Sequence, residues 1–328
     1  MSHQQPNRSP VALGGIMAAL AVVLGLTAVV LPFVSGVIAP LPLALAAIWL
    51  SWRGAVLAGV AASLVLGIIT GPLAGVSFFL QTALIGIVSG ALVRAKKRYG
   101  TLFALTTATQ VLGTLLYLLV QLALMGFDVR AFMGTFGGLE EEMLASAEQL
   151  DLYNTMANTG GMSAAQAEHL FTNTVHIMVQ LSPSIYVLMF AVMAGAELLL
   201  LSALCRRLRT PVQVQAPNWK TIIMPPAVLV PFLAAWVLLL VEQYLDNQLL
   251  WIVAANVMVI GAAFMAVGGA SYLLAKLKFT EKPLMLQLLI IMLALFMGWY
   301  LILMCALLGI FDSIADYRHL RPEKGEQQ

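Results

Sequence analysis

Charge is what this chain has least of. Charged residues make up only 10% of its 328 residues and apolar residues 61%, whereas a soluble domain has about 25% charged and roughly 45–50% apolar residues. This composition excludes an ordinary soluble domain. It predicts a membrane protein, in which lipid surrounds most side chains.

Cysteine and the sequence motifs of catalysis are also scarce. The two cysteines, Cys205 and Cys305, supply neither a disulfide framework nor a four-thiolate metal site. The sequence contains no GxxxxGK phosphate loop, no GxSxG elbow and no HExxH helix. We therefore expect no ATPase of that kind, no metal, no cofactor and no enzyme activity. A serine–histidine pair of the rhomboid kind stays open as the enzymatic alternative.

Long apolar runs are what the sequence has in abundance. A helix of about 20 apolar residues crosses the roughly 30 Å hydrocarbon core and satisfies its own backbone hydrogen bonds. The runs predict an all-α fold, a polytopic transmembrane helical bundle of about nine spans. These nine runs are 11–33, 37–50, 54–69, 73–93, 102–125, 174–205, 225–241, 249–275 and 283–311. The run 37–50 is short and contains Pro40 and Pro42, so whether it crosses fully, and on which side the C-terminus lies, stays open.

Basic residues divide unevenly between the two sides of such a bundle. With nine alternating spans, 13 of the 17 lysines and arginines fall on the side of the N-terminus. Arg130, Arg318, Arg321 and Lys324 fall on the other side. Short loops rich in lysine and arginine stay in the cytoplasm, so we expect a multi-pass protein of the bacterial cytoplasmic (inner) membrane with a cytoplasmic N-terminus.

The spans divide the chain into four parts. Residues 1–10 form a cytoplasmic tail, 11–209 a six-helix membrane core, 210–311 a three-helix extension and 312–328 a polar C-terminal tail. An acidic segment, 126–173, lies on the outer side within the core. The segment is either a solvated loop or an outer gate over a binding cavity, because long ordered loops are often functional.

The acidic segment carries helix signals of its own. Apolar residues from Leu139 to Leu150 recur at helical spacing and predict an amphipathic surface helix. The pair Gly160-Gly161 breaks this helix. Ser163 followed by Gln166 then predicts a capping box that begins a new helix, running directly into the span at 174.

Polar residues inside spans are costly in lipid and tend to face an interior. One stripe lies along the fifth span, a second begins the sixth, and Glu197 lies deeper in that sixth span. The two stripes are Thr106, Gln110, Thr114, Tyr117, Gln121 and His169, Asn173, His176, Gln180, Ser184. They predict either a shared cavity for a polar small molecule or hydrogen bonds between helices without a ligand. The candidate ligand-binding residues are Gln110, Thr114, Tyr117, Gln121, His176, Gln180 and Glu197.

Small residues and the C-terminal end are the candidates for helix contacts. Close backbone approach at small residues holds helices together in lipid, and Gly86 and Gly90 have the required spacing of four. Such contacts are internal packing or the docking face for another membrane subunit. The candidate docking residues are Gly15, Ala18, Ala19, Asp312, Asp316 and Arg318. Asp312 and Asp316 would share a face of a continuing helix, and the Asp312–Arg318 pair is either a surface anchor or a clamp onto another helix or a partner.

Two family resemblances follow from these residues. The small-residue first helix 14–20, the segment with Pro32, Pro40 and Pro42, Trp52-Arg53-Gly54 and the stretch 86–94 resemble the S components of energy-coupling-factor (ECF) vitamin importers. The whole chain resembles the YybS-type family of bacterial membrane proteins, a distant relative of those components. This second resemblance is carried by the C-terminal stretch 309–318 with its G-x-x-D-x-x-x-D-Y-R pattern and by Asn218-Trp219-Lys220 before Pro225.

The S-component resemblance implies a function. S components are six-helix proteins that bind a vitamin or metal from outside and depend on a partner membrane subunit and two ATPases. The first-helix residues Ala18 and Ala19 would then dock onto the partner, and the two polar stripes would contact the ligand. This chain adds about 120 residues and three spans to that pattern and has no recognisable vitamin or cobalt motif.

Two function classes follow for the chain. The first is a small-molecule binding or transport subunit that lacks its own ATPase and associates with another membrane subunit or an ATPase module. The second is a membrane scaffold or assembly factor that docks another envelope complex. Membrane lipid surrounds the protein in either case, and no nucleic-acid partner is expected.

Overall fold

The computed structural model describes residues 9–214 and 217–318, and in them all regular structure is helical, as the sequence predicts. Eight helices lie before residue 150: α1 Pro10–Leu26, α2 Pro32–Ile38, α3 Leu41–Trp49, α4 Trp52–Thr70, α5 Pro72–Phe78, α6 Leu84–Arg94, α7 Tyr99–Leu124 and α8 Val129–Gln149. Seven follow: α9 Leu152–Gly160, α10 Ala164–Gln180, α11 Ser182–Arg207, α12 Pro226–Leu245, α13 Gln248–Lys276, α14 Leu284–Met297 and α15 Trp299–Ala315.

Proline and serine set many of the helix starts. Helices α1, α2, α5 and α12 each begin at a proline, whose missing N–H lies where the first turn has no intrahelical acceptor. Ser9 and Ser51 accept hydrogen bonds from Ala12 N and Gly54 N and so cap α1 and α4. These residues divide the apolar runs into separate elements.

Seven helical segments in the described residues are long and apolar enough to cross a membrane, and an eighth is present if the bent pair α14–α15 counts as one span. Pro32–Trp49, which combines α2 and α3, is one of the seven, so the short run 37–50 belongs to a longer segment. The first run is α-helical only to Leu26 and supplies a helix of 17 residues, at the lower end of the roughly 17–25 residues of a membrane-spanning helix.

The acidic segment is helical, with one more break than the sequence predicts. Besides the break at Gly160-Gly161, a break at Asp151, whose φ is +53°, separates α8 from α9. The capping box of Ser163 and Gln166 is confirmed: Gln166 N donates to the Ser163 side chain, and Ser163 N donates to Gln166 Oε1. The new helix runs past Thr174, as predicted, but the predicted sixth span is not continuous, because α10 ends at Gln180 and α11 begins at Ser182. Pro183 has no N–H to continue the hydrogen-bonding ladder and suits the first turn of a helix.

The described chain forms two units by contact. The first comprises residues 9–152 and 189–214, and the second 153–188 and 217–318. In the first unit α3 is central: every residue from Leu41 to Ile48 is buried. Gly86 and Gly90 of α6 lie against the carbonyl groups of Pro40 and Ala44, so closely that a Cβ at either glycine would collide with them. The predicted contact at the Gly86–Gly90 spacing is therefore present.

Helices α12, α13 and α15 form the centre of the second unit. Gly269 lies against the backbone of Cys305, and Gly309 against that of Met265. At the break before α11, Asn256 of α13 accepts a hydrogen bond from Ser184 N at 2.8 Å and donates to Gln180 O at 2.9 Å. One amide side chain thus satisfies two backbone groups that the interruption of the helix leaves without helical partners.

Candidate functional site

A cavity of about 480 Å³ lies in the first unit. Its wall is apolar for the most part and carries seven side chains with a hydroxyl or an amide group. These seven are Ser35, Thr70, Ser77, Gln81, Thr82, Gln110 and Thr114. None of the described residues that line the cavity is charged. Ligand pockets are typically concave, mostly apolar and about 300–1,000 Å³, and this cavity has each of these properties.

A π-helical turn places two of the polar side chains. Residues Phe79–Ala83 form this turn between α5 and α6. Gln81 and Thr82 lie in it, and both line the cavity. Helix α7 comes close to the turn at Gly113, where a Cβ would collide with Leu80 O. This close approach brings Gln110 and Thr114 to the same cavity. Single π turns inside α-helices occur often at functional sites.

Gln110 is the most informative residue of the wall. Its side chain is only 2% exposed, yet neither Oε1 nor Nε2 has a hydrogen-bond partner among the described residues. By contrast, the hydroxyl groups of Ser35 and Thr70 donate to backbone carbonyls of Leu24 and Leu66. A buried amide without a partner costs roughly 1–3 kcal/mol, so Gln110 presents a donor and an acceptor that a bound molecule would satisfy.

Glu197 lies outside the cavity wall. Its carboxyl group is fully buried, Oε1 accepts a 2.8 Å hydrogen bond from Ser89 Oγ, and Oε2 has no partner among the described residues. Tyr117 and Gln121, on the same helix as Gln110, are half-buried and do not line the cavity. Of the seven candidate ligand-binding residues, Gln110 and Thr114 therefore line it.

The polar stripe of the sixth span lies in the second unit. His176 and Gln180 lie one turn apart on α10, and the distance between His176 Nε2 and Gln180 Nε2 is 2.8 Å. His176 is exposed and Gln180 is half-buried. The expectation that this stripe and the fifth-span stripe share one cavity stays a prediction.

The candidate docking residues fall in two places. Gly15 and Ala18 line a groove of about 530 Å³ between α1 and α4, and Ala19 is exposed beside it. The groove wall combines small residues such as Gly54, Ala58 and Ala61 with larger apolar ones such as Trp49 and Leu57.

At the other end of the sequence, Arg318 forms a clamp within the second unit. Its Nε donates to Asp312 Oδ2 at 3.0 Å, Nη1 to Lys220 O and Ser271 Oγ at 2.8 and 2.9 Å, and Nη2 to Ile222 O at 2.7 Å. The Asp312 side chain is 2% exposed and the Arg318 side chain 10%. Of the two interpretations, a surface anchor and a clamp onto another helix or a partner, these contacts match the clamp onto another helix. That helix is α13, which carries Ser271.

The prediction that Asp312 and Asp316 share one face of a continuing helix is wrong. Helix α15 ends at Ala315, and Asp316 follows with φ 46° and ψ 52° in the left-handed region. This turn reverses the chain and brings Arg318 back beside Asp312.

Comparison with known families identifies the chain at the level of a family. The family described as "Predicted membrane protein (DUF2232)" matches residues 16–313, which include all seven long apolar segments from Pro32 to Lys276. The chain belongs to this family. No curated protein and no solved structure matches it.

Five polar residues of the cavity wall in this DUF2232 chain are absent from the ligand-binding residues predicted from the sequence: Ser35, Thr70, Ser77, Gln81 and Thr82. Ser35, Thr70 and Ser77 line the cavity, but their helices have no run of polar residues at every turn like the one that marks the α7 stripe. Gln81 and Thr82 are visible in the sequence as polar residues within an apolar run. The π turn that brings both of them to the cavity leaves no signal of that kind.

Proposed function

We propose that this DUF2232 chain binds a small neutral molecule in the cavity of its first unit and works as a binding or transport subunit without an ATPase of its own. The observation that carries the proposal is Gln110, a buried amide at the cavity wall with no partner for either of its polar atoms. The absence of an ATPase and of enzyme activity is part of the proposal, as is the similarity of residues 11–209 to an ECF S-component core.

The wall defines the class of molecule. Because no charged side chain lines the cavity, an ionised ligand would lose its hydration without gaining a counter-charge. An amide can donate and accept at once. The expected ligand is therefore neutral and largely apolar, with a polar group that both donates and accepts hydrogen bonds, such as an amide, a carboxylic acid in its neutral form or a lactam.

Native mass spectrometry of the gently extracted protein tests the proposal. We expect the wild type to retain a stoichiometric small molecule and Gln110→Leu to lose it. Gln121→Leu is the matched control, since Gln121 lies on the same helix and does not line the cavity. Retention of the molecule by Gln110→Leu, or equal loss from both variants, would contradict binding at this site.

The position of the C-terminus is part of the proposed topology. Arg318 contacts Lys220, Ile222 and Ser271, and Lys220 forms an ion pair with Glu281 at 3.6 Å. The end of α15 therefore lies beside the end of α13 and the connection that follows it. We infer that the bent pair α14–α15 enters the membrane and returns, and does not cross as the ninth span.

This return changes the charge balance. With Pro10–Leu26 as a crossing helix and the N-terminus in the cytoplasm of a bacterium, eight crossings put the C-terminal tail on the cytoplasmic side. Arg318, Arg321 and Lys324 then join the 13 basic residues already there. Sixteen of the 17 basic residues lie on one side, which is what the positive-inside rule requires of short loops.

The groove of α1 and α4 favours a second candidate function, a scaffold that docks another membrane protein. Half of its lining residues are glycine or alanine, and such small residues let a partner helix approach closely. A Cβ at Gly15 would meet nothing within 4 Å, so we expect the leucine of Gly15→Leu to enter the groove without a collision at its Cβ. We expect a stoichiometric membrane partner in native mass spectra to be lost in this variant, while a partner that remains would place docking elsewhere.

A further inference from the structure

The pair Glu197–Ser89 is a buried polar group that ligand binding in the cavity does not use. Both side chains are fully buried, and the carboxyl group has one hydrogen bond, from Ser89 Oγ. Glu197 is in no ion pair of the described residues. An ionised carboxylate in such surroundings loses far more hydration energy than one neutral hydrogen bond returns.

The pair lies one helical turn from the cavity. Ile85 and Met193 both line the cavity wall. Ser89 follows Ile85 by four residues on α6, and Glu197 follows Met193 by four on α11. Because residues four apart share a helix face about 6 Å apart along the axis, the carboxyl group lies directly beyond this part of the wall.

The charged groups of the surrounding helices are at the helix ends. Helices α1, α2, α3 and α5 contain no titratable residue. The titratable residues of the other helices are Arg53 at the start of α4, Arg94 at the end of α6, Arg98 and Tyr99 at the start of α7 with Tyr117 farther along it, and, on α11, Tyr186 near the start with Cys205, Arg206 and Arg207 at the end. Arg94, the nearest in sequence to Ser89, donates to Ala47 O and Ile48 O at 3.4 Å. Among the residues that the structure describes, no cation therefore pairs with Glu197 to balance a charge on it.

The hydrogen bonds around Ser89 accommodate a protonated carboxyl group. Ser89 Oγ lies 2.8 Å from Glu197 Oε1 and 3.2 Å from Gly86 O, but a hydroxyl has a single proton to donate. When Glu197 is neutral, its own O–H can lie on Oε1 and donate to Ser89 Oγ, while Ser89 donates to Gly86 O. When Glu197 is ionised, Ser89 donates to Oε1 instead. The site therefore has an arrangement for each protonation state.

We propose that Glu197 is an intramembrane proton-binding site served by the cavity. The carboxyl group carries a proton in the folded protein and exchanges it with water that enters from the cavity. In this step the O–H bond of the carboxyl breaks, the proton passes to a water molecule, the electron pair stays on the carboxylate, and Ser89 turns its proton from Gly86 O to Glu197 Oε1. The inference deepens the proposed function, because it supplies a proton that can accompany a neutral ligand.

Infrared spectroscopy of the full chain in nanodiscs tests the proton directly. A carboxylic acid has a C=O stretching band that a carboxylate lacks. We expect this band at neutral pH in the wild type, its loss in Glu197→Gln, and its displacement in Ser89→Ala, which removes the hydrogen bond. Asp312→Asn is the buried control, because Asp312 is paired with Arg318 and should contribute no acid band. Labelling of glutamate carboxyl carbons with ¹³C makes the assignment without a substitution.

Exchange into heavy water tests the route through the cavity. We expect Ser77→Trp, which fills the cavity, to slow the deuterium shift of the Glu197 band at least tenfold. Val76→Trp is the matched control on the neighbouring position, which is exposed and does not line the cavity. Absence of the acid band would overturn the proton site while leaving ligand binding intact. A band whose exchange is equally fast in both tryptophan variants would overturn the route. Neither measurement needs the ligand, so failure of the proposed ligand binding is detected separately by native mass spectrometry.

Discussion

At the scale of single residues, Gln110 lowers the stability of the empty protein. The amide loses its hydration on burial, and no described residue replaces it. Leucine has a similar volume and no polar atom, so Gln110→Leu should raise the free energy of unfolding by roughly 1–3 kcal/mol. Thermal unfolding of the ligand-free protein in detergent measures the change. A lower melting temperature for this variant would mean that the amide has a partner, and the site would lose its main argument.

The clamp of Arg318 makes a second prediction at this scale. Replacing Arg318 by glutamine leaves the carboxylate of Asp312 buried and unpaired, which should reduce stability by roughly 3–5 kcal/mol. Asp312→Asn should reduce it less, because the guanidinium keeps Lys220 O, Ile222 O and Ser271 Oγ as acceptors. Thermal melting of the two single variants and the double variant measures both effects and their coupling.

An exposed ion pair in the same unit provides the control for the clamp. Lys220 and Glu281 have side chains that are 35% and 60% exposed, and such pairs contribute about 0–1 kcal/mol. Glu281→Gln should therefore melt close to the wild type. If Arg318→Gln melts there too, the clamp is a surface anchor after all.

At the scale of helices, the close contact of α3 and α6 depends on glycine. A Cβ at Gly90 would lie 2.8 Å from Ala44 Cα and collide with the carbonyl beside it, and a helix backbone cannot rotate away as a side chain can. Gly90→Ala should therefore push the helices apart and reduce stability by about 1–3 kcal/mol. Detergent melting measures this loss.

Gly15→Ala is the matched control for that contact. Gly15 also lies inside a helix, but a Cβ there meets nothing within 4 Å. Alanine should then stabilise α1 by roughly 0.5–1 kcal/mol. The expected result is a lower melting temperature for Gly90→Ala and a higher one for Gly15→Ala. A higher melting temperature for both variants would show that helix propensity, not packing, decides the outcome.

The same scale shows how far the sequence predicts the fold. Apolar length and the cap at Ser163 predict where helices lie, because backbone hydrogen bonds in lipid must be satisfied locally. The interruption at Leu181 depends on Asn256, 75 residues away, whose side chain satisfies the backbone of both helix ends. Contacts so distant in sequence leave no periodic pattern.

The cavity is predictable only in part, for a similar reason. The stripe of α7 identifies Gln110 and Thr114, because polar residues repeat there at helical spacing. The other polar wall residues lie on α2, α4, α5 and the π turn, and only the packing of these helices brings them together. Glu197 is visible in the sequence as a costly charge, but its distance from the cavity wall depends on the tertiary structure.

At the scale of the whole molecule, the proposed topology places both ends of the chain in the cytoplasm. Introduced cysteines can report the sides, since the native thiols of Cys205 and Cys305 are buried. In intact cells, an impermeant maleimide should label Ser146→Cys on the acidic outer segment. It should not label Ala95→Cys, Lys278→Cys or Tyr317→Cys until the membrane is permeabilised. All four positions are exposed on the protein.

Each pattern of labelling has its own meaning. Lys278 and Tyr317 lie on either side of the bent pair α14–α15, so a pair that enters and returns keeps them on one side. Labelling of Tyr317→Cys but not of Lys278→Cys in intact cells would show that the pair crosses, and would restore the ninth span. Labelling of Ala95→Cys would invert the protein, contrary to the 16-to-1 division of basic residues that motivates the topology. A return of the chain is the expected outcome, because the hydrogen bonds from the guanidinium of Arg318 to four residues, Asp312, Lys220, Ser271 and Ile222, hold the end of α15 beside the end of α13.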